Sequence, residues 1–327
     1  MCYKDEVQRK NAEKLQRKFD EDNVPEFIRR YFINIKSKAG AVNYLIAIKD
    51  FIQWIINNKL TKKEKISEIE LRDFFDIEPE DITLYLEQKE QCGMSPTTLE
   101  TRKNILRSFW HFLARQKMSE IGNVDDFFKA VSYEGISSGN NLIKKMPSDE
   151  QLKMMEEKIN NKKDEYVRIR NLVILQVLKG TGLRESELAG LDMLDLHLEE
   201  EIPYVNILGK GKYREQQSRI VYLTGRSLSA IKKWIEFRSK LENIVDKNAI
   251  FLNKNGKRFT EDNIQAMFKT YGNGVTPHMI RHWYATVIAN TGNIAFAQQQ
   301  LGHTSVNTTV NNYANGAYGM KDILANM

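Results

Sequence analysis

The sequence predicts a mainly α-helical protein with one small β-sheet: an all-helical first part and a mixed α+β second part. Three observations predict this. Apolar residues recur at helical spacing through the first 120 residues, with no strand pattern between them. Two runs rich in β-branched and aromatic residues, 204–208 and 219–223, flank a glycine-containing connection and read as a hairpin. The Gly-, Ser- and Asn-rich run 135–141 reads as a flexible connection, and a chain of 327 residues is long enough for two domains.

Residues 1–22 form a charged helix, read as an N-terminal extension, and Asn23 and Pro25 punctuate it. Phe27, Ile28, Tyr31 and Phe32 mark a short amphipathic helix. Ser37 is a candidate cap for a longer one, whose apolar stripe reads Val42, Leu45, Ile46, Ile48, Ile52, Ile55 and Ile56. Pro79 opens a helix with Ile82, Tyr85 and Leu86 inward, and Gly93 stops it. Ser95-Pro96 places a cap before a proline at the first helical position. The helix that follows carries Leu99, Ile105, Leu106, Phe109, Trp110, Phe112 and Leu113. Residues 23–118 thus read as a helical bundle, and the poorly periodic 119–146 as the linker.

The second domain, 147–327, starts at Pro147, and Ser148 with Gln151 has the spacing of a capping box. Leu172, Val173, Ile174, Val177 and Leu178 belong to a buried helix that ends at Gly180-Thr181-Gly182. After the hairpin, helices resume at 227–241 and 261–269.

Hydrophobic residues make up 41% of the chain and charged residues 28%, with a mean hydropathy of −0.51, as in a soluble protein. No apolar run near the length of a membrane helix is evident. The first residues are charged and lack an apolar signal core, which predicts a cytoplasmic protein. Cys2 and Cys92 can build neither a disulfide framework nor a metal site. The net charge of +6 is compatible with a polyanionic partner, and equally with an ordinary basic soluble protein. Arg102, Lys103, Arg107, Arg115 and Lys117 give one bundle helix a basic side, either a grip on DNA phosphates or a solvated face.

The chemistry concentrates at 276–313. His278 and Arg281, three apart, share a helical face and can address one anion, for which arginine is suited by its paired donors. Leu301-Gly302-His303 reads as a helix end and a turn, with Gly302 at a positive φ. Tyr313 follows, and a phenol can act as a nucleophile at phosphorus once the charge around it is arranged. His278 and His282, four apart, also fit one face of a metal site, but Met279 stands where a zinc peptidase carries its general-base Glu.

Taken in order, LKGTGLRESELAGL, GKGK before the second strand, HMIRH, LGHTS and a following tyrosine resemble the boxes of the tyrosine recombinase and phage integrase family. The similarity covers 147–327; the helical bundle resembles the family's core-binding domain in arrangement only. The resemblance implies a site-specific DNA recombinase. Arg184 and Arg281 would clamp the scissile phosphate, and His278 and His303 would add hydrogen bonds and help move the nucleophile's proton. Lys210, or Lys212 beside it, would protonate the departing 5′ hydroxyl. Tyr313 would attack to give a 3′-phosphotyrosine, and Glu187 would orient the site. The resemblance implies no metal and no ATP; its partners would be double-stranded DNA sites, a homo-tetramer on DNA and possible accessory DNA-bending proteins. Two departures stand out. The family's tyrosine comes nine residues after the histidine, where this chain has Asn312, so Tyr313 is one residue late and Tyr318 is the alternative. The connection from Lys210 to the second strand is also longer than usual. A type IB topoisomerase or a catalytically lapsed DNA-binding protein would share much of the pattern.

Overall fold

Helix-forming signals in the first 130 residues assemble around one aromatic-rich core. The structure, a computed structural model, describes residues 3–133, 146–208, 218–290 and 294–302, and the chain divides into two units, Met1–Leu142 and Ile143–Met327.

In the first unit, α1 (Tyr3–Glu21) and α2 (Glu26–Tyr31) lead into α3 (Lys38–Asn57). Ser37 caps α3, its Oγ accepting from the Gly40 N–H at 3.2 Å. Leu45, Ile48, Phe51, Ile52 and Ile55 have no exposed surface, whereas Ile46, read as part of the stripe, is 44% exposed. Two residues on a helix turn about 200°, so Ile46 points away from the side that Ile48 buries. By length and composition alone α3 could cross a bilayer, contrary to the reading of the sequence, but its apolar side lies in the core of this unit.

Residues 3–22, read as an extension, are part of the bundle rather than an appendage. Leu15 and Phe19 of α1 are buried in the common core, and α1 packs on α3. Arg29 of α2 donates to the Phe19 and Val24 carbonyls at 3.0 and 2.7 Å, tying down the end of α1. α4 (Pro79–Gln91) and α5 (Pro96–Ala114) follow, the latter capped by Ser95. Two short helices, α6 (Met118–Ile121) and α7 (Val124–Ala130), occupy the start of the segment read as linker. Asn123 caps α7, and Val124 and Phe128 join the core beside Trp110, so the bundle extends past residue 118.

The second unit opens with α8 (Asp149–Asn160), where Ser148 and Gln151 form the foreseen capping box, and α9 (Glu165–Thr181). After α10 (Glu185–Ala189), β1 (Leu196–His197), β2 (Tyr204–Ile207) and β3 (Arg219–Tyr222) make an antiparallel sheet in that order. Two-residue β1 is too short to show alternation, which is why the sequence hides it; His197 stacks on Tyr204 within the sheet. The register sets Ile207 opposite Arg219. α11 (Gly225–Ser239), α12 (Glu261–Tyr271), α13 (Pro277–Asn290) and α14 (Ile294–Leu301) complete the described residues. α13 packs on α9 and α14, and α14 on β3, so the ends of distant segments meet.

Candidate active site

The meeting point is the end of α9. Gly182 takes the left-handed conformation there, φ 61°. It also lies against the Tyr284 ring: a Cβ at this position would come within 2.3 Å of Tyr284 Cδ1. Glycine is therefore required twice, by backbone geometry and by space. Tyr284 itself is core, 4% exposed, with its phenol pushed up by burial.

The turn delivers Arg184 to the start of α10, one turn before Glu187. Glu187 accepts from the Arg184 backbone N–H at 2.9 Å through Oε2 and from Arg184 Nη1 at 2.8 Å through Oε1. Arg219, the first residue of β3, closes a two-pronged bond on the same carboxylate, 3.0 and 2.9 Å. Arg281 Nη1 stands 3.9 Å from Glu187 Oε2. One carboxylate thus gathers three guanidinium groups from α10, β3 and α13. Burial works to raise the Glu187 pKa, but the hydrogen bonds and charge of Arg219, with help from Arg184, hold it at about 2.

Arg281 is 4% exposed and held by backbone dipoles. Its Nη1 donates to the Gly182 carbonyl and its Nη2 to the Leu301 carbonyl, each at 2.6 Å. These two bonds lock the guanidinium plane between the ends of α9 and α14 without neutralising its charge. His278, at the exposed start of α13, is linked through Nε2 to Nε2 of the buried His282 at 2.8 Å, with the rings edge to face. One of these nitrogens must donate and the other accept. His282 thus orients His278. Among the described residues no group of three or more His, Cys, Asp or Glu is placed to hold a metal.

α14 ends as the sequence predicts, with Gly302 at φ 62°. His303, Tyr313 and Tyr318, with Lys210 and Lys212 in the hairpin connection, lie outside the described residues. Arg184, Glu187 and Arg281 are brought together from positions almost a hundred residues apart in the chain. Arg219 escaped the sequence reading, though a signal existed: alternation in β3 puts it on the face of buried Val221. An arginine on an inward face needs an acidic partner.

In the first unit, the basic residues of α5 are engaged internally. Arg102 Nη1 bonds Asp50 and, at 2.6 Å, the Tyr85 hydroxyl. Lys103 Nζ donates to the Val131 and Tyr133 carbonyls at 3.1 and 3.2 Å. Arg107 pairs with Asp125 at 2.6 Å and keeps 46% of its side chain exposed.

Residues 144–319 match the model of the phage integrase family. The tyrosine recombinase XerC of Escherichia coli O157:H7 is 31% identical over 227 residues, covering 66% of this chain and 69% of that one. XerD of Oceanobacillus iheyensis is 30% identical over 283 residues, covering 83% and 84%. Among solved structures, the Tn1549 transposon integrase in complex with circular intermediate DNA has a TM-score of 0.62 at 23% identity, covering 91% of this chain and 95% of that one. XerH bound to a palindromic difH substrate has a TM-score of 0.61 at 22% identity, covering 84% and 76%. At these identities the structural likenesses show the fold.

Proposed function

Because the chain belongs to the phage integrase family of tyrosine recombinases, we propose that it breaks and rejoins DNA at specific sites through a covalent 3′-phosphotyrosyl intermediate. The observation that carries the reading is the convergence of Arg184, Arg219 and Arg281 on the single carboxylate of Glu187. Such a cluster keeps an excess of positive charge in a largely buried place. That charge suits the non-bridging oxygens of a phosphate, where negative charge grows as the phosphorus becomes five-coordinate.

In this mechanism Arg184 and Arg281 hold those oxygens. Tyr313 attacks phosphorus, forming its phenolic P–O bond as the bond to the 5′ oxygen breaks. His278 and His303 accept and relay the phenol proton. Lys210, or Lys212, gives a proton to the departing 5′ oxygen. The phosphotyrosyl bond retains the energy of the broken phosphodiester, so rejoining is the same reaction reversed with a new 5′ hydroxyl and needs no ATP. The arginines supply the charge stabilisation a metal would otherwise give. The partner is double-stranded DNA carrying a recombination site. Strand exchange needs two such sites, hence a homo-tetramer on DNA in the cytoplasm, with accessory DNA-bending proteins as further partners. Arg102, Lys103 and Arg107 lie on the DNA-facing bundle helix; given their internal bonds, Arg107 contributes most to phosphate contact.

A duplex with a nick just 3′ of the cleaved bond tests this, because loss of the short fragment traps the covalent adduct. Wild type yields a DNA-linked protein, Tyr318→Phe still does, and Tyr313→Phe does not. Adduct formation by Tyr313→Phe would remove Tyr313 from its role. No adduct from wild type on any nicked site would overturn the reading.

A further inference from the structure

We propose that Arg219 is a positioning residue for DNA cleavage, a strut that fixes the Arg184–Glu187 pair and the turn before His303 in one rigid geometry; this rests on the recombinase reading. Its guanidinium makes three bonds in two directions. The fork on Glu187 faces α10, and Nε donates to the Gln300 carbonyl of α14 at 3.1 Å. Gly302 seats directly on it: a Cβ there would come within 2.9–3.1 Å of Arg219 Cδ, Nε and Cζ. With 16% of its side chain exposed, Arg219 is largely enclosed by these partners.

The arrangement has a chemical consequence. Glu187 alone would pull Arg184 and Arg281 toward itself. With both its oxygens engaged by Arg219, the carboxylate orients Arg184 while its charge is shared. The same arginine sets the last turn of α14, whose Leu301 carbonyl holds Arg281. Both proposed phosphate-binding arginines therefore depend on one residue that need not touch DNA. Lysine cannot substitute, since an ammonium cannot span two carboxylate oxygens and a carbonyl at once.

The test compares full-length wild type with Arg219→Gln and Arg219→Lys by three measurements: single-turnover adduct formation on a saturating nicked duplex, DNA affinity, and amide hydrogen exchange over residues 294–302. A displacement of reacting groups by about 1 Å costs on the order of a hundredfold in rate. Arg219→Gln is expected to form adduct about 30- to 100-fold more slowly, with affinity within about threefold of wild type and faster exchange over 294–302. Arg219→Lys is expected to stay at least about tenfold slow, and it carries the comparison alone if the glutamine variant does not fold. Rates within about threefold of wild type, or full rescue by lysine, would overturn the proposal. If wild type itself forms no adduct, the recombinase reading has failed. Exchange then decides the strut separately: faster exchange in the variants retains it and unchanged exchange removes it.

Discussion

Asp50 and Glu187 each collect basic side chains from other elements, and the two clusters hold their cations differently. In the helical unit, Asp50 of α3 binds Lys89 of α4 and Arg102 of α5, with the buried Tyr85 hydroxyl donating to it at 2.8 Å. In the second unit, Glu187 binds Arg184 and Arg219 with Arg281 alongside. Both acids titrate below their ordinary values despite burial, through their basic partners. The difference lies in what else holds the cations. Arg102 bonds a carboxylate and a phenol, and the cluster staples three helices. Arg281 bonds two backbone carbonyls, which fix it but cancel none of its charge, and three guanidiniums share one acid. On the proposed function, an excess of oriented positive charge, rather than a count of basic residues, separates the phosphate site from the staple.

The comparison breaks most sharply at Arg281. Replacing it with lysine keeps a charge but loses the fork between the Gly182 and Leu301 carbonyls. Removal of a single preorganised donor typically costs about 10²–10³ in rate, so Arg281→Lys should lower adduct formation by at least about that factor. Arg184→Ala should do the same, read in the same nicked-duplex assay. A loss under about tenfold for both would mean that the cluster is a staple after all.

Glu187 offers a thermodynamic test. Its pKa falls from 4.5 to about 2 on folding, so its contribution to stability is fully present above pH 4.5 and disappears as pH falls toward 2. The shift corresponds to roughly 3 kcal/mol. Unfolding followed from pH 6 to pH 2 should therefore show a steeper loss for wild type than for Glu187→Gln in that window. Parallel profiles would show that the carboxylate is not held by its arginines.

Asp50→Asn is expected to cost less, on the order of 1–3 kcal/mol, because it weakens hydrogen bonds to charged donors without emptying a core position. Adduct formation by folded Asp50→Asn at saturating DNA should stay within about threefold of wild type. A larger rate effect would give the staple a part in the chemistry.

How much of this was legible beforehand follows the same division. Caps at Ser37, Ser95 and Ser148 are local chemistry, so the helices they start could be placed from spacing alone. Arg184 and Arg281 were legible because their boxes are contiguous. Arg219 was not, since its meaning comes from a carboxylate 32 residues away brought near by the sheet. Residues 1–22 misled because their charges outnumber two buried anchors, Leu15 and Phe19, whose weight is apparent only once α3 lies beneath them. The basic side of α5 stayed open for a related reason: periodicity places Arg102 and Lys103 on a face but says nothing about the acid and the carbonyls waiting there.

The smallest expected effect lies on α5. Arg102, Lys103 and Arg107 look alike in sequence, yet only Arg107 combines a surface ion pair with an exposed side chain. Exposed pairs are worth little, so DNA phosphate can replace Asp125 as the partner of Arg107 at small cost. Arg102 would have to leave Asp50 and Tyr85, disrupting a largely buried cluster. Arg107→Ala should therefore weaken DNA binding severalfold and reduce the slope of log affinity against log salt by about one. Arg102→Ala should lower thermal stability and leave that slope unchanged. The reverse pattern would mean that the bundle releases its internal bonds on DNA, and that Asp50 holds Arg102 only until phosphate replaces it.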